Sequence, residues 1–304
     1  MANPLLTSAL DLSAHTASGV WQKNIKSGII GNLTPDDPQI MVGSTDFFTF
    51  TGTPKAELVG EGANKSSMDG TPAKKTSKTY KVQLTYRFSD EVRYADEEYR
   101  LRLMEALAGN IATGVSRAID LVAIHGINPL TGSVAGSVTD YITKSGNGTT
   151  INSTTATPEV DLDAAAAALQ ANGYAATGIA LDPVYAGKLA RAKKSNGDRV
   201  FPELGLGFNI DRIAGIDAAV SNTVSATAET GVATGIGGIM ADWNAFKWGI
   251  ARNVPLHLIE YGDPDGAGDL QRTNEIAIRA EVVFGYAILD DKAFAIVKQA
   301  QVSA

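Results

Sequence analysis

The sequence predicts an α+β fold in which one strand feeds one long helix and a smaller α/β lobe stands beside them. Three observations carry this reading. Tyr80, Val82, Leu84, Tyr86 and Phe88 alternate with Lys81, Gln83, Thr85 and Arg87, the two-residue period of a half-buried strand. Leu101, Met104, Ala108, Ile111, Val115, Ala118 and Val122 then recur at steps of three and four, drawing one apolar stripe along a helix from about Asp96 to His125. Near the end of the chain, Ile276, Ile278, Ala280 and Val282 alternate with Arg279 and Glu281. Asp96, Glu97 and Glu98 suit the positive end of the helix, and Gly126 supplies its stop. Such a helix is ~45 Å long at 1.5 Å per residue, so a surface must lie along it. The strands at 276–282 and 293–297 are the expected partners.

Residues 1–45 are rich in Ser, Thr, Gly and Pro and read as an arm that gains order against its own body or a neighbour. Residues 46–90 read as a long hairpin. Its first strand is expected at about 54–60, its tip at Glu61 to Gly70, and Lys74, Lys75 and Lys78 open the return strand. A lone hairpin is marginal in water, so this one is expected to reach onto another subunit. After Gly126 comes a turn-rich passage, 128–158, with a brief strand at 138–143. Thr157-Pro158 and Asp182-Pro183 then start two helices, one stopping at Asn172-Gly173 and the other running from Val184 to Lys194 before Asn196-Gly197. Short strands at 178–181, 217–220, 238–241, 246–251 and 256–261 complete a lobe over 158–274.

With 304 residues, 44% of them hydrophobic, the chain can bury a large core. It has no cysteine, which excludes disulfides, thiol nucleophiles and cysteine-ligated metals and fits a cytosolic product. No signal peptide is expected at Met-Ala-Asn-Pro-Leu-Leu, nor any apolar stretch near bilayer length, and no membrane partner. A net charge of -7 argues against gripping phosphate as the main task.

No catalytic, cofactor-binding or metal-binding residues are expected. His15, His125 and His257 are scattered and read as structural. Gly235, Gly237 and Gly238 read as a turn, and Asp263-Pro-Asp265-Gly-Ala-Gly-Asp269 as a solvated turn that fails the calcium-loop spacing. The pairs Asp36-Asp37 and Asp290-Asp291 lack a partner acid or base. The cluster Arg191, Lys193, Lys194 and Arg199 is read chiefly as the complement of a helix C-terminus, with phosphate contact as the lesser reading.

Several segments in order resemble the major capsid proteins of tailed bacteriophages. They are Lys55 to Gly62, Val82 to Glu91, Arg117 to Gly126, Leu181-Asp-Pro183 with Asn196-Gly197, Ile213 to Ile216, Met240 to Trp243, and Arg279-Ala-Glu281 through Asp290 to Ala293-Phe294. The resemblance implies a Hong Kong 97-type capsid fold with N-terminal arm (1–45), extended β-hairpin loop (46–90), long spine helix in a peripheral domain (91–157), axial domain (158–274) and return strands of the peripheral domain (275–304). It implies a structural subunit that self-assembles as pentamers and hexamers into an icosahedral head around double-stranded DNA, with a portal, in the bacterial host cytoplasm.

On this resemblance the extended loop contacts an adjacent subunit through Lys55, Glu57, Glu61, Lys65, Lys74, Lys75 and Lys78. The arm is too short for a cleaved scaffolding segment, so a separate scaffolding protein is expected. Some members crosslink a loop lysine to a peripheral-domain asparagine. Lys65, Lys74 and Lys75 suit the first role, but no asparagine follows Asn274, so no crosslink is expected. Two alternatives stand beside this reading: an encapsulin-type compartment shell, and a cytosolic α+β enzyme with an unrecognised site.

Overall fold

The computed structural model describes residues 28–35, 37, 39–40, 42–50, 55–67, 72–94, 97–153, 157–202, 204, 210–231 and 234–299. The arm before Gly28, with His15, lies outside them, as do Asp36, Asp96 and the last residues of the hairpin tip. In chain order the elements are α1 (Ile30–Leu33), β1 (Ser44–Thr49), β2 (Ala73–Ser89), α2 (Glu97–His125), β3 (Ile127–Asn128), β4 (Ser133–Val134), β5 (Thr149–Ser153) and α3 (Pro158–Ala171). There follow β6 (Gly178–Leu181), α4 (Pro183–Arg191), β7 (Arg212–Ile213), β8 (Ile216–Val220), α5 (Thr227–Thr230), β9 (Ile236–Ala241), β10 (Phe246–Ile259), α6 (Leu270–Thr273), β11 (Glu275–Ile288) and β12 (Phe294–Gln299).

The alternation at Tyr80 lies in a strand of 17 residues, β2, and the apolar stripe forms α2, a helix of 29 residues. β2 pairs antiparallel with β11, placing Phe88 opposite Ile276 and Leu84 opposite Ala280. Their apolar faces close on Ile111 and Val115 of α2, as expected from the stripe, and on Leu107, which lies outside it. The full sheet runs β1-β2-β11-β10. A second sheet, ordered β5-β12-β9-β6-β8-β7, carries α3 and α4.

Strand membership departs from the expectation twice. β10, placed by sequence in the 158–274 lobe as two strands, is one strand beside β11, with bulges between Ile250 and Arg252 and between Val254 and His257. It is an edge strand, where Pro255 is tolerated. β12, expected beside β11 against α2, instead lies between β5 and β9. Phe294 to Val297 are buried without alternation, the pattern of a central strand covered on both faces. The chain changes sheet at two 3-10 turns, capped by Asp242 and Asp290 side chains accepting from Asn244 N and Lys292 N. These crossovers lie side by side, since Asp242 N donates to Ala293 O and Leu289 N to Ala245 O.

Further corrections are local. The first hairpin strand is β1 rather than 54–60, and residues 55–67 form no strand. Residues 138–143 are turns whose Val138 and Ile142 plug the core. Gly237 and Gly238 lie within β9, where an added Cβ at Gly237 would meet the Tyr185 ring at 3.0 Å. α4 ends at Arg191, short of Lys194.

Glu105–His125 is long and apolar enough to cross a membrane, which amends the composition-based expectation. In this fold it is the core helix. From Ala118 to His125 it is buried on every side, because Ile119, Val122, Ala123 and Ile124 join Phe284 and Tyr286 of one sheet to Ile239 and Phe294 of the other.

Candidate assembly surfaces

The hairpin carries apolar side chains that its own subunit leaves in water. Phe48 is 69% exposed, Phe50 71%, and Leu58 is fully exposed. Exposed apolar residues in isolation are ordinary, but two phenylalanines and a leucine on one thin projection form a surface that lacks a cover. β1 and β2 pair in register from Ser44 opposite Lys78 to Thr49 opposite Ala73, so the base is rigid.

The sequence-selected residues divide into two groups. Lys74, Lys75 and Lys78 have partners inside the subunit: Lys74 Nζ lies 2.7 Å from Asp46, Lys75 Nζ 3.6 Å from Asp291, and Lys78 Nζ donates to Thr139 Oγ1 at 2.9 Å. Lys74 ties the two strands of the hairpin together, while Lys75 and Lys78 hold its base to the body. Lys74 and then Thr76, bonded to Asp46, hold its carboxyl below the usual range. Lys55, Glu57, Glu61 and Lys65 are all exposed on the 55–67 segment. Glu57 accepts from the Ser66 hydroxyl and from Ser66 N, which lowers its pKa and folds the segment back on itself. A turn at Gly60, closed by Ala63 N donating to Gly60 O, sets that bend.

The opposite finish is found at the buried end of α2. Asp120 is buried, and its carboxylate accepts from Ile29 N at 2.7 Å, Ile30 N at 3.1 Å and Thr223 Oγ1 at 2.8 Å. One side chain thereby joins the end of the arm, the helix and the loop after β8. Burial raises its pKa to about 6 despite those bonds. One turn on, His125 Nε2 faces Thr223 O and Val224 O at 3.1 and 2.9 Å, and burial lowers its pKa to about 4. The imidazole is therefore a neutral donor, a structural role as the sequence reading expected. Arg117 bonds Asn222 on the same loop and Glu229 in α5. A lone carboxylate in the run Ala118-Ile119-Asp120-Leu121-Val122 was the available sequence signal.

The Asp263–Asp269 loop is also not simply solvated. Arg87, which the alternation placed on the polar face, is buried, and its guanidinium meets Glu275 at 3.1 Å, Asp263 at 3.2 Å and Asp265 at 2.7 Å. The loop is stapled to the sheet by a cation of the protein itself. Asp290, besides its cap, accepts from Tyr174 Oη at 2.6 Å. His257 is exposed on β10. Among the described residues, no group of three His, Asp or Glu side chains is placed to hold a metal ion.

Comparison with known proteins places this geometry. The model of the phage capsid family matches residues 13–299. A solved structure from Mycobacterium phage Ogopogo is similar at 40% identity and TM-score 0.84, covering 97% of this chain and 99% of that one. One from Gordonia phage Cozz is similar at 29% identity and TM-score 0.80, over 96% and 93%. A structure named as the capsid of an empty GTA particle with C5 symmetry shares the fold at 16% identity and TM-score 0.63, over 95% of each chain. No curated protein matches. These matches favour neither the compartment-shell alternative nor the enzyme. The chain belongs to the phage capsid family, and it is a structural, non-enzymatic subunit of the virion capsid.

Proposed function

We propose that copies of this chain assemble through pentamers and hexamers into the icosahedral head of a tailed bacteriophage around double-stranded DNA. Assembly takes place in the bacterial host cytoplasm, with a separate scaffolding protein and a portal. The observation that carries the reading is the uncovered apolar surface of the hairpin, Phe48, Phe50 and Leu58, on a chain of the phage capsid family. Residues 1–45 serve as the arm, 46–90 as the loop over a neighbour, 91–157 as the spine and peripheral domain, and 158–274 as the axial domain. β10 shares a sheet with β2 and β11, which supports counting it with the peripheral part, and β12 shares the other sheet, which supports counting it with the axial part. At the loop, Lys55, Glu57, Glu61 and Lys65 meet the adjacent subunit and set register more than affinity. Lys74, Lys75 and Lys78 support the base.

The test is particle size by negative-stain microscopy and light scattering, on the protein alone and co-expressed with its neighbouring gene products. Closed shells, or rings that close only with a second protein, are expected. A compact monomer under both conditions overturns the reading, and shells that enclose a cargo enzyme instead of DNA redirect it to a compartment.

A further inference from the structure

Residues 188–199 hold Lys188, Arg191, Lys193, Lys194 and Arg199 against one acid, Asp198. That is a net +4, so the rest of a chain of net charge -7 carries -11. All five cations are exposed. Lys188 and Arg191 lie in the last turn of α4, where they complement the negative helix end. The helix stops there, so Lys193, Lys194 and Arg199 require another account.

These three sit on a tight hairpin. Lys194 N donates to Asp198 O at 2.8 Å, Gly197 N to Lys194 O at 2.9 Å, and Val200 N to Ala192 O at 3.0 Å. The first and last of these bonds bracket Lys193 and Arg199, which bridge antiparallel. The two therefore face each other at a non-hydrogen-bonded position, where cross-strand side chains come closest. Like charges in that position weaken the hairpin they occupy. Lys188 donates to Gln299 Oε1 and Arg199 to Leu204 O. Among the described residues none of the five forms an ion pair with a carboxylate.

Between Arg191 and Arg199 the residues other than the cations are Ala192, Ser195, Asn196, Gly197 and Asp198, all small or polar, while Leu189 and Ala190 within α4 are buried in the subunit's own core. The centre of a protein interface calls for aromatic or aliphatic anchors and is poor in lysine. Gripping single-stranded bases calls for aromatic platforms. A cationic turn with neither fits a duplex phosphate backbone, contacted by charge alone.

We propose that the 193–199 hairpin, with the end of α4, is a sequence-independent contact for the phosphates of double-stranded DNA. This deepens, and rests on, the proposed role of the chain as the subunit of a DNA-enclosing shell.

The test uses the full chain as purified capsomers and a random-sequence duplex of about 20 base pairs, titrated by fluorescence anisotropy between about 50 and 200 mM salt. Wild type is expected to bind with log K falling linearly in log salt. The Lys193→Gln/Arg199→Gln variant is expected to lose about 2 from the magnitude of that slope, at roughly 0.9 per phosphate contact, with equal loss for unrelated duplex sequences. A control, Lys144→Gln/Arg272→Gln, removes the same charge from exposed sites elsewhere and is expected to keep the wild-type slope. No binding by wild type, an unchanged slope in the hairpin variant, or an equal loss in the control each overturns the inference. Light scattering on the same samples judges shell formation separately. Shells that form while the slope is unchanged sink this inference alone, and failure to form shells both alone and with the neighbouring gene products added sinks the shell reading, whatever the anisotropy shows.

Discussion

The buried end of α2 and the 44–67 hairpin side both leave the central sheet, yet they are finished in opposite ways. At Asp120 a charged group is taken out of water, and three donors from two segments meet it. At Phe48, Phe50 and Leu58 apolar groups are left in water, while the charges at the hairpin base are matched. The first region is completed by the subunit's own chain. On the proposed function the second is completed by another chain, and substitutions in the two should separate folding from assembly.

The largest effects are expected in the first region. Asp120→Ala leaves Ile29 N, Ile30 N and the Thr223 hydroxyl without their acceptor and should cost the free subunit roughly 3 kcal/mol or more in urea unfolding. Arg87→Met strands the buried Glu275 and frees the 263–268 loop, with an expected cost of roughly 3 kcal/mol. Gly126→Ala comes next. Gly126 has φ +67°, and an added Cβ would lie 2.5 Å from the Tyr141 ring, so a loss of roughly 2 kcal/mol is expected in the same assay. Phe48→Ser with Phe50→Ser inverts the pattern: unfolding of the free subunit should shift by no more than about 0.5 kcal/mol, while particle yield collapses. Equal losses in subunit stability from both classes would break the comparison.

The pH dependence sharpens it further. His125 is lowered from 6.5 to about 4, so the unfolded chain binds more protons, and this contribution to stability is lost as pH falls from about 6.5 to about 4. Asp120 is raised from 3.8 to about 6, so the folded chain binds more protons, and its contribution is present at low pH and lost as pH rises through about 6. The two oppose each other, and wild-type melting temperature should change little across that window. Asp120→Asn removes one side of the balance and should melt progressively lower from pH 6.5 to 4, whereas His125→Gln should melt higher as pH falls.

Local periodicity was the legible part of the fold. Strict alternation located β2 and β11, and the three-and-four spacing located α2, because each of those faces meets a single partner surface. The cap-then-proline starts located α3 and α4. Sheet membership was not legible. β10 and β12 each follow a 3-10 crossover, and alternation tells which face is buried without telling which sheet buries it. The continuous apolar run at β12 did carry the signal of a central strand.

Site residues divide along the same line. The charged positions of the hairpin were visible as composition, but the pairing of Lys74 with Asp46 and of Lys75 with Asp291 depends on register and on a distant turn. Arg87 was misread because its position in the alternation faces a loop that arrives far later in the chain.

The central claim is that the 55–67 segment of the hairpin is ordered by a neighbour and the α2 core by its own subunit. Amide hydrogen exchange, followed by mass spectrometry on free subunits and on assembled shells, compares the two directly. The account predicts that peptides covering 55–67 exchange rapidly in the free subunit and become strongly protected in the shell, while 118–125 is protected equally in both. Rapid exchange of 55–67 in the shell as well would contradict it.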